Sequence, residues 1–176
     1  MKYFTSFFLL SSITLFGCQK ASEQEIDTFF DRLSVLVTKS NTINMNIQNA
    51  QTTRTAEGGP YIPKKATECK NGICKIVPLG CKGVGCPPRT MSQALSPIMK
   101  YEPNHPDANT QGYVAYPNMN LQEEMAELIR VQRALDYLMD TIPVSKSFFY
   151  SKEIQKYFKK YPALNNDFNF DKLLRE

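Results

Sequence analysis

Apolar residues recur at helical spacing in two stretches of this chain. Between Glu23 and Ala50, Ile26, Leu33 and Ile47 share one heptad position, and Phe29, Leu36, Ile43 and Ala50 occupy the next. Ser40 interrupts the first series. At about 1.5 Å per residue, such a helix is about 42 Å long. Farther on, Leu121, Met125, Leu128, Gln132, Leu135, Met139 and Ile142 alternate spacings of four and three. That is a coiled-coil seam with one polar position, Gln132, which can set register. Pro143 stops it. Two seams in one chain can satisfy each other as a helical hairpin, or be shared among copies in a tube; periodicity permits both.

Helix breakers fill the space between. Nine of the 11 prolines and seven of the 8 glycines lie between Gly58 and Pro117, while Cys18–Glu57 and Asn118–Ile142 hold neither. The pattern predicts an α+β fold: long N- and C-terminal helices packed as a coiled-coil-like pair, with a small β or irregular insert domain between them. The expected segments are a signal peptide (1–17), an N-terminal helix region (18–57), a disulfide-stapled insert (58–118), a C-terminal helix (119–142) and a basic, aromatic extension (143–176).

A length of 176 residues is one domain's worth. Only the first 17 residues carry a sustained apolar run, which excludes a polytopic membrane protein. Lys2 followed by the apolar Phe4–Phe16 reads as a targeting segment. Leu15-Phe16-Gly17-Cys18 resembles the bacterial lipoprotein box, which implies a diacylglycerol on the Cys18 thiol and cleavage before it. An ordinary signal peptide that happens to contain a cysteine is the alternative. Gln19, in place of an acidic residue, points toward the outer membrane. Losing Lys2 with the leader lowers the net charge from +4 to +3, and no basic-aromatic nucleic-acid motif is present, so no nucleic-acid partner is expected.

Four further cysteines, Cys69, Cys74, Cys81 and Cys86, form an even set in an exported chain, so disulfides are expected. Their spacing suggests local pairing of Cys69 with Cys74 and of Cys81 with Cys86 across short turns, although crossed pairing is open. A zinc site is the other reading, but its ligand pairs usually sit closer together and suit reducing compartments.

The most specific residues are Asn46-Ile47-Gln48-Asn49-Ala50-Gln51-Thr52-Thr53-Arg54-Thr55-Ala56-Glu57-Gly58-Gly59-Pro60-Tyr61. This run resembles the N-terminal signature of the FlgC family of bacterial flagellar proximal-rod proteins. The stretch Tyr101 to Asn109, with Gln111 to Asn118, is similar to that family's second signature. Met119 to Met125 resembles the entry to its C-terminal helix, and the likeness covers roughly Leu33 to Ile142. It implies a structural rod subunit whose helices pack into an inner tube, assembling with its own copies and other rod subunits. Heterologous contacts that do not close generate such a filament. The expected assembly interface is Ile26, Phe29, Leu33, Leu36, Ile43, Ile47 and Asn49 with Leu121, Met125, Leu128, Gln132, Leu135, Met139 and Ile142.

Catalytic chemistry finds no foothold. His105, the sole histidine, lies in an Asn-His-Pro-Asp turn and has no dyad partner; Glu123-Glu124 suits a helix start. No phosphate loop, metal cluster or nucleophile motif is present, so no enzyme activity, cofactor, metal or small-molecule substrate is expected. A periplasmic thiol oxidoreductase is disfavoured because the cysteine pairs lack C-x-x-C spacing. The chain departs from the family pattern in its lipoprotein-like signal, its four middle cysteines and the segment Pro143–Glu176. In that segment Phe148-Phe149-Tyr150, Ile154, Tyr157-Phe158 and Tyr161 lie among lysines, which suits either docking or covering the protein's own core. Two roles therefore remain: a lipid-anchored periplasmic rod subunit, or an adaptor that binds the basal body, ring or peptidoglycan without lining the channel.

Overall fold

A capping box starts the first helix. In the computed structural model, which describes residues 22–80, 95–141 and 151–164, the Ser22 hydroxyl accepts from the Glu25 backbone N–H while the Glu25 carboxylate accepts from the Ser22 N–H at 2.8 Å. The Ser22 N–H, and after it the Ser22 hydroxyl, which donates to the same carboxylate at 2.8 Å, hold the Glu25 carboxyl below its usual range. Helix α1 then runs over Glu23–Gln48. Thr38 and Thr42 satisfy their hydroxyls on the carbonyls of Ser34 and Thr38, so a buried threonine costs the helix no orphan polar group. Helix α2, Leu121–Asp140, begins at Asn120, whose side-chain oxygen accepts from the N–H groups of Gln122 and Glu123.

The described residues of the breaker-rich middle form two separate antiparallel hairpins. β1 (Lys64–Lys70) pairs with β2 (Ile73–Pro78), and β3 (Ile98–Tyr101) with β4 (Tyr113–Tyr116). The first hairpin packs on α1. β3 is exposed at all four positions, and Val114 of β4 is fully buried.

A third helical stretch completes the core. A 3-10 turn at Lys152–Ile154 leads into α3, Gln155–Lys160, and a second turn follows at Pro162–Leu164. Ile154, Tyr157, Tyr161 and Leu164 enter one cluster with Phe29, Phe30, Leu33, Val37 and Ile43 of α1 and Val131, Leu135 and Leu138 of α2. The Tyr157 ring stacks on Phe30 with centroids 4.1 Å apart. Each such fully buried apolar side chain contributes about 1.5–3 kcal/mol.

This corrects the expected architecture. The chain is not a coiled-coil-like pair of long N- and C-terminal helices around one insert domain: the described residues form three helical stretches and two small sheets. The physical reason lies in α2. Its buried line is Val131, Leu135 and Leu138, with Leu128 and Met139 packed beside it, whereas Leu121, Met125 and Gln132 of the expected seam face outward. An α-helix drifts about 20° per heptad against a strict 3.5 repeat, so a seam read over three heptads rotates away from the packed face. Tyr157 and Tyr161 fill the space beside Phe30 that a second coiled-coil strand would need.

Candidate assembly interface

The three motifs that stand apart in the sequence meet at the C-terminal end of α1. Asn46 is the hub, 1% exposed. Its amide nitrogen donates to the Lys64 carbonyl at 2.7 Å and to the Glu124 carboxylate at 3.0 Å. Its oxygen accepts from the Tyr61 hydroxyl at 3.0 Å and from the Lys64 N–H at 2.9 Å. A primary amide has two donor hydrogens and room for two acceptor contacts, and all four are used. One helical asparagine therefore ties α1 to the start of β1, to the loop before it and to the first turn of α2. Burial, reinforced by the nearby Glu124 charge, raises the Tyr61 phenol above its ordinary value.

The loop after α1 closes on itself before it reaches Tyr61. The Thr55 N–H donates to the Gly59 carbonyl at 2.8 Å and the Tyr61 N–H to the Thr52 carbonyl at 2.9 Å. Asn49 anchors its start by donating its side-chain amide N–H to the Met45 carbonyl at 2.8 Å. Thr53 does more than end the helix. Its hydroxyl donates to Asp107 at 2.8 Å, and the other Asp107 oxygen receives Arg54 Nε at 2.9 Å. The first signature is thereby joined to the second through a carboxylate 54 residues away. The Arg54 side chain is largely exposed, so its ion pair is worth little by itself and mainly orients the loop. His105 accepts at Nδ1 from the Asp107 N–H, which shapes the turn presenting that carboxylate. Tyr116 donates to Glu102 at 2.8 Å, and this bond raises its phenol.

The expected interface residues divide. Phe29, Leu33, Ile43 and Leu135 are buried in the subunit's own core, with Ile26, Leu36, Ile47, Leu128 and Met139 packed against it. Asn49 is half-buried beside the loop. Leu121 and Met125 are exposed, the latter by 52%, and Gln132 is exposed as well, so it is no register device inside this fold. The buried polar contact on α2 is made instead by Glu124, through Asn46. Cys18, Cys81, Cys86 and Ile142 lie outside the described residues. Cys69 and Cys74 form a disulfide.

Leu121, Met125 and Ile129 make a ridge at four-residue spacing along the outer face of α2, and Tyr137, 72% exposed, continues it past Arg133. Sequence reasoning placed Leu121 and Met125 in the interface but missed Ile129 and Tyr137, and it gave Asn46, Tyr61 and Glu124 no place among the interface residues. The signals were present: an asparagine three residues after Ile43 on the apolar face, and a second apolar line beside the seam. Among the described residues, no group of three or more His, Cys, Asp or Glu side chains is placed to hold a metal ion, and no helix is long and apolar enough to cross a membrane.

No protein-family model matches the chain. It is similar to the flagellar basal-body rod protein FlgC of Borreliella burgdorferi, with 38% identity over 122 residues that cover 62% of this chain and 80% of that protein.

Proposed function

Because the chain belongs to the FlgC family of flagellar basal-body rod proteins, we propose that it is a structural subunit of the rod, held in the periplasm by a lipid on Cys18. The observation that carries the assembly reading is the apolar ridge of α2. Leu121, Met125 and Ile129 are 38%, 52% and 49% exposed, an outlay of apolar surface that a helix normally covers. The Asn46 junction and the Asp107 clamp hold the flanking elements, so the ridge is presented on a fixed frame. Its occupant is a helix of a neighbouring rod subunit or of another copy, in a head-to-tail contact that extends a filament.

The test is a Met125→Glu/Ile129→Glu double variant. Both side chains are half exposed, so the isolated protein keeps its helical content and its unfolding free energy within about 0.5 kcal/mol. In cells it is absent from purified basal bodies. Normal incorporation of the variant rules the ridge out as the contact.

One observation favours the adaptor role as a second reading. The face of α1 carrying Phe29, Phe30 and Leu33 is filled by the chain's own Ile154, Tyr157, Tyr161 and Leu164. A subunit that caps its own helix in this way has one face fewer for neighbours in a tube. Replacing Cys18 with Ala separates the two roles. A rod subunit persists in basal bodies at its usual stoichiometry, whereas a lipid-held adaptor is lost from them.

A further inference from the structure

The tip of the β1–β2 hairpin is built unlike the rest of it. Regular pairing runs from Lys64↔Pro78 to Thr67↔Lys75, then shifts register, and beyond the shift only Lys70↔Ile73 pairs. Glu68 sits at φ +47°, and Asn71 and Gly72 at +48° and +74°, the left-handed pair that a two-residue turn requires. At the irregularity an exposed Glu68–Lys75 ion pair adds little, and past it one residue pair and the Cys69–Cys74 disulfide hold the tip to the ladder.

That tip touches two other parts of the molecule at one residue. The Gly72 carbonyl accepts from the buried Ser34 hydroxyl of α1 at 2.7 Å. The Tyr161 ring lies so close to Gly72 that an added Cβ would stand 2.5 Å from Cε1, and 3.1 Å from the Asp31 Cα. Tyr161 is itself fully buried and donates its hydroxyl to Asp31. The helical stretch it ends is nine residues long, below the dozen or so at which an isolated helix holds in water. Its order comes from what it touches. Its ion pair, Lys156 with Glu23, lies in solvent and holds it weakly.

We propose that the disulfide-closed hairpin tip is a thiol-switchable clasp that seats Tyr161 and thereby holds residues 151–164 over Phe29, Phe30 and Leu33 of α1. Both cysteines are partly exposed, and Cys69 lines an open cavity of about 450 Å³ with Val35, Leu36, Tyr137 and Leu138, so a dithiol reductant has access. One thiolate of the reductant attacks a sulfur of the pair, giving a mixed disulfide and releasing the other cysteine as thiolate. The reductant's second thiol resolves it, so Cys69 and Cys74 gain two electrons and two protons and the dithiol leaves as a disulfide. The reduced tip is free to move past the irregularity, the Gly72 seat is lost, and the C-terminal stretch lifts from α1.

Hydrogen exchange of the full chain, read by peptide mass, tests this. The Cys81→Ser/Cys86→Ser variant is compared before and after dithiothreitol, so that the hairpin pair is the reductant's target. Peptides covering 151–164 exchange at least tenfold faster after reduction, while those covering α2 stay within twofold. Gly72→Ala, which obstructs the Tyr161 seat with the disulfide intact, gives the same local release without reductant. Unchanged protection of 151–164 in either experiment overturns the clasp. So does an equal rise in 151–164 and α2, which would make the disulfide a support of the whole fold.

Discussion

Replacing Asn46 with Ala should destabilise this protein more than any other single polar deletion among the described residues. The substitution removes three neutral hydrogen bonds, with the Tyr61 hydroxyl and both backbone groups of Lys64, and one to the Glu124 carboxylate. Neutral bonds contribute about 1 kcal/mol each and a charged one about 2, so the sum is about 5 kcal/mol. Tyr61 and Glu124 are only half-buried, and water reaching them offsets part of it. The Lys64 backbone groups keep their loss in full. About 3 kcal/mol remains, a large share of the 5–15 kcal/mol that a domain has in total.

Urea unfolding followed by helical circular dichroism measures it, with wild type and variant in the same preparation. A double-mutant cycle with Glu124→Ala isolates the interhelical bond, which should show a coupling of about 1–2 kcal/mol. A cost below about 1 kcal/mol for Asn46→Ala, or no coupling in the cycle, would refute the view that this amide ties α1, β1 and α2 together. Asn46→Asp supplies a further arm. The new carboxylate can still accept from Lys64 and Tyr61, but it faces Glu124 as a like charge and cannot donate to the Lys64 carbonyl. It should be no better than Ala at neutral pH.

Three further outcomes follow from the same contacts. Tyr157→Ala empties the space stacked on Phe30 and should cost about 3–5 kcal/mol in urea unfolding, the range for deleting a large core aromatic. The phenols of Tyr61, Tyr157 and Tyr161 are all raised, each by burial first and then by Glu124, Asp27 and Asp31 respectively. A raised phenol stabilises the fold fully below the unfolded value of about 10 and loses that contribution as pH climbs through the folded value. An alkaline titration should therefore show tyrosinate absorbance and loss of helix appearing together above pH 10; free titration of these phenols in a fully helical protein would contradict the burial. Gly112→Ala should cost about 1–2 kcal/mol and raise hydrogen exchange in β3 and β4, since φ is +80° there and a Cβ would stand 2.8 Å from the Tyr101 ring.

How much of this was legible in the sequence depends on the range of the interaction concerned. The two long helices are local objects, written in spacing and in stop signals, and the 26-residue and 20-residue helices lie where periodicity places them. The hairpin turn at Asn71-Gly72 is equally local. What periodicity does not carry is rotation about the helix axis and the identity of the packing partner. Leu135 belongs both to the expected seam and to the observed buried line, and Leu128 and Met139 of the seam pack at its edge, so the error in α2 is an offset of one residue between them. Val131 was passed over in favour of the exposed Gln132, and Leu138 was left out beside Met139. That offset is invisible in a helical repeat when Leu, Met and Ile are available on adjacent faces. The Asn46 junction and the Thr53–Asp107 link span 78 and 54 residues of sequence, and no spacing rule reaches that far.

The C-terminal aromatic stretch was readable only as two opposed possibilities, docking elsewhere or covering its own core, because an amphipathic helix states that it needs a partner without naming one. The fold answers with Phe30, a residue outside both heptad series and therefore not assigned to any seam. The same contact bears on the choice between rod subunit and adaptor. A helix pair that relies on neighbours leaves its apolar faces open, and α2 does so at Leu121, Met125 and Ile129. A helix that supplies its own partner closes one, and α1 does so with Tyr157 and Tyr161. The two helices thus differ in what they ask of the surroundings: α2 presents a face that assembly would cover, while α1 becomes available only if residues 151–164 lift away. Assembly through α2 alone gives each subunit one helical contact fewer than a tube built from both. The stoichiometry of the chain in basal bodies should accordingly change on deletion of residues 151–176 if α1 is a second contact, and stay fixed if α2 and the hairpins suffice.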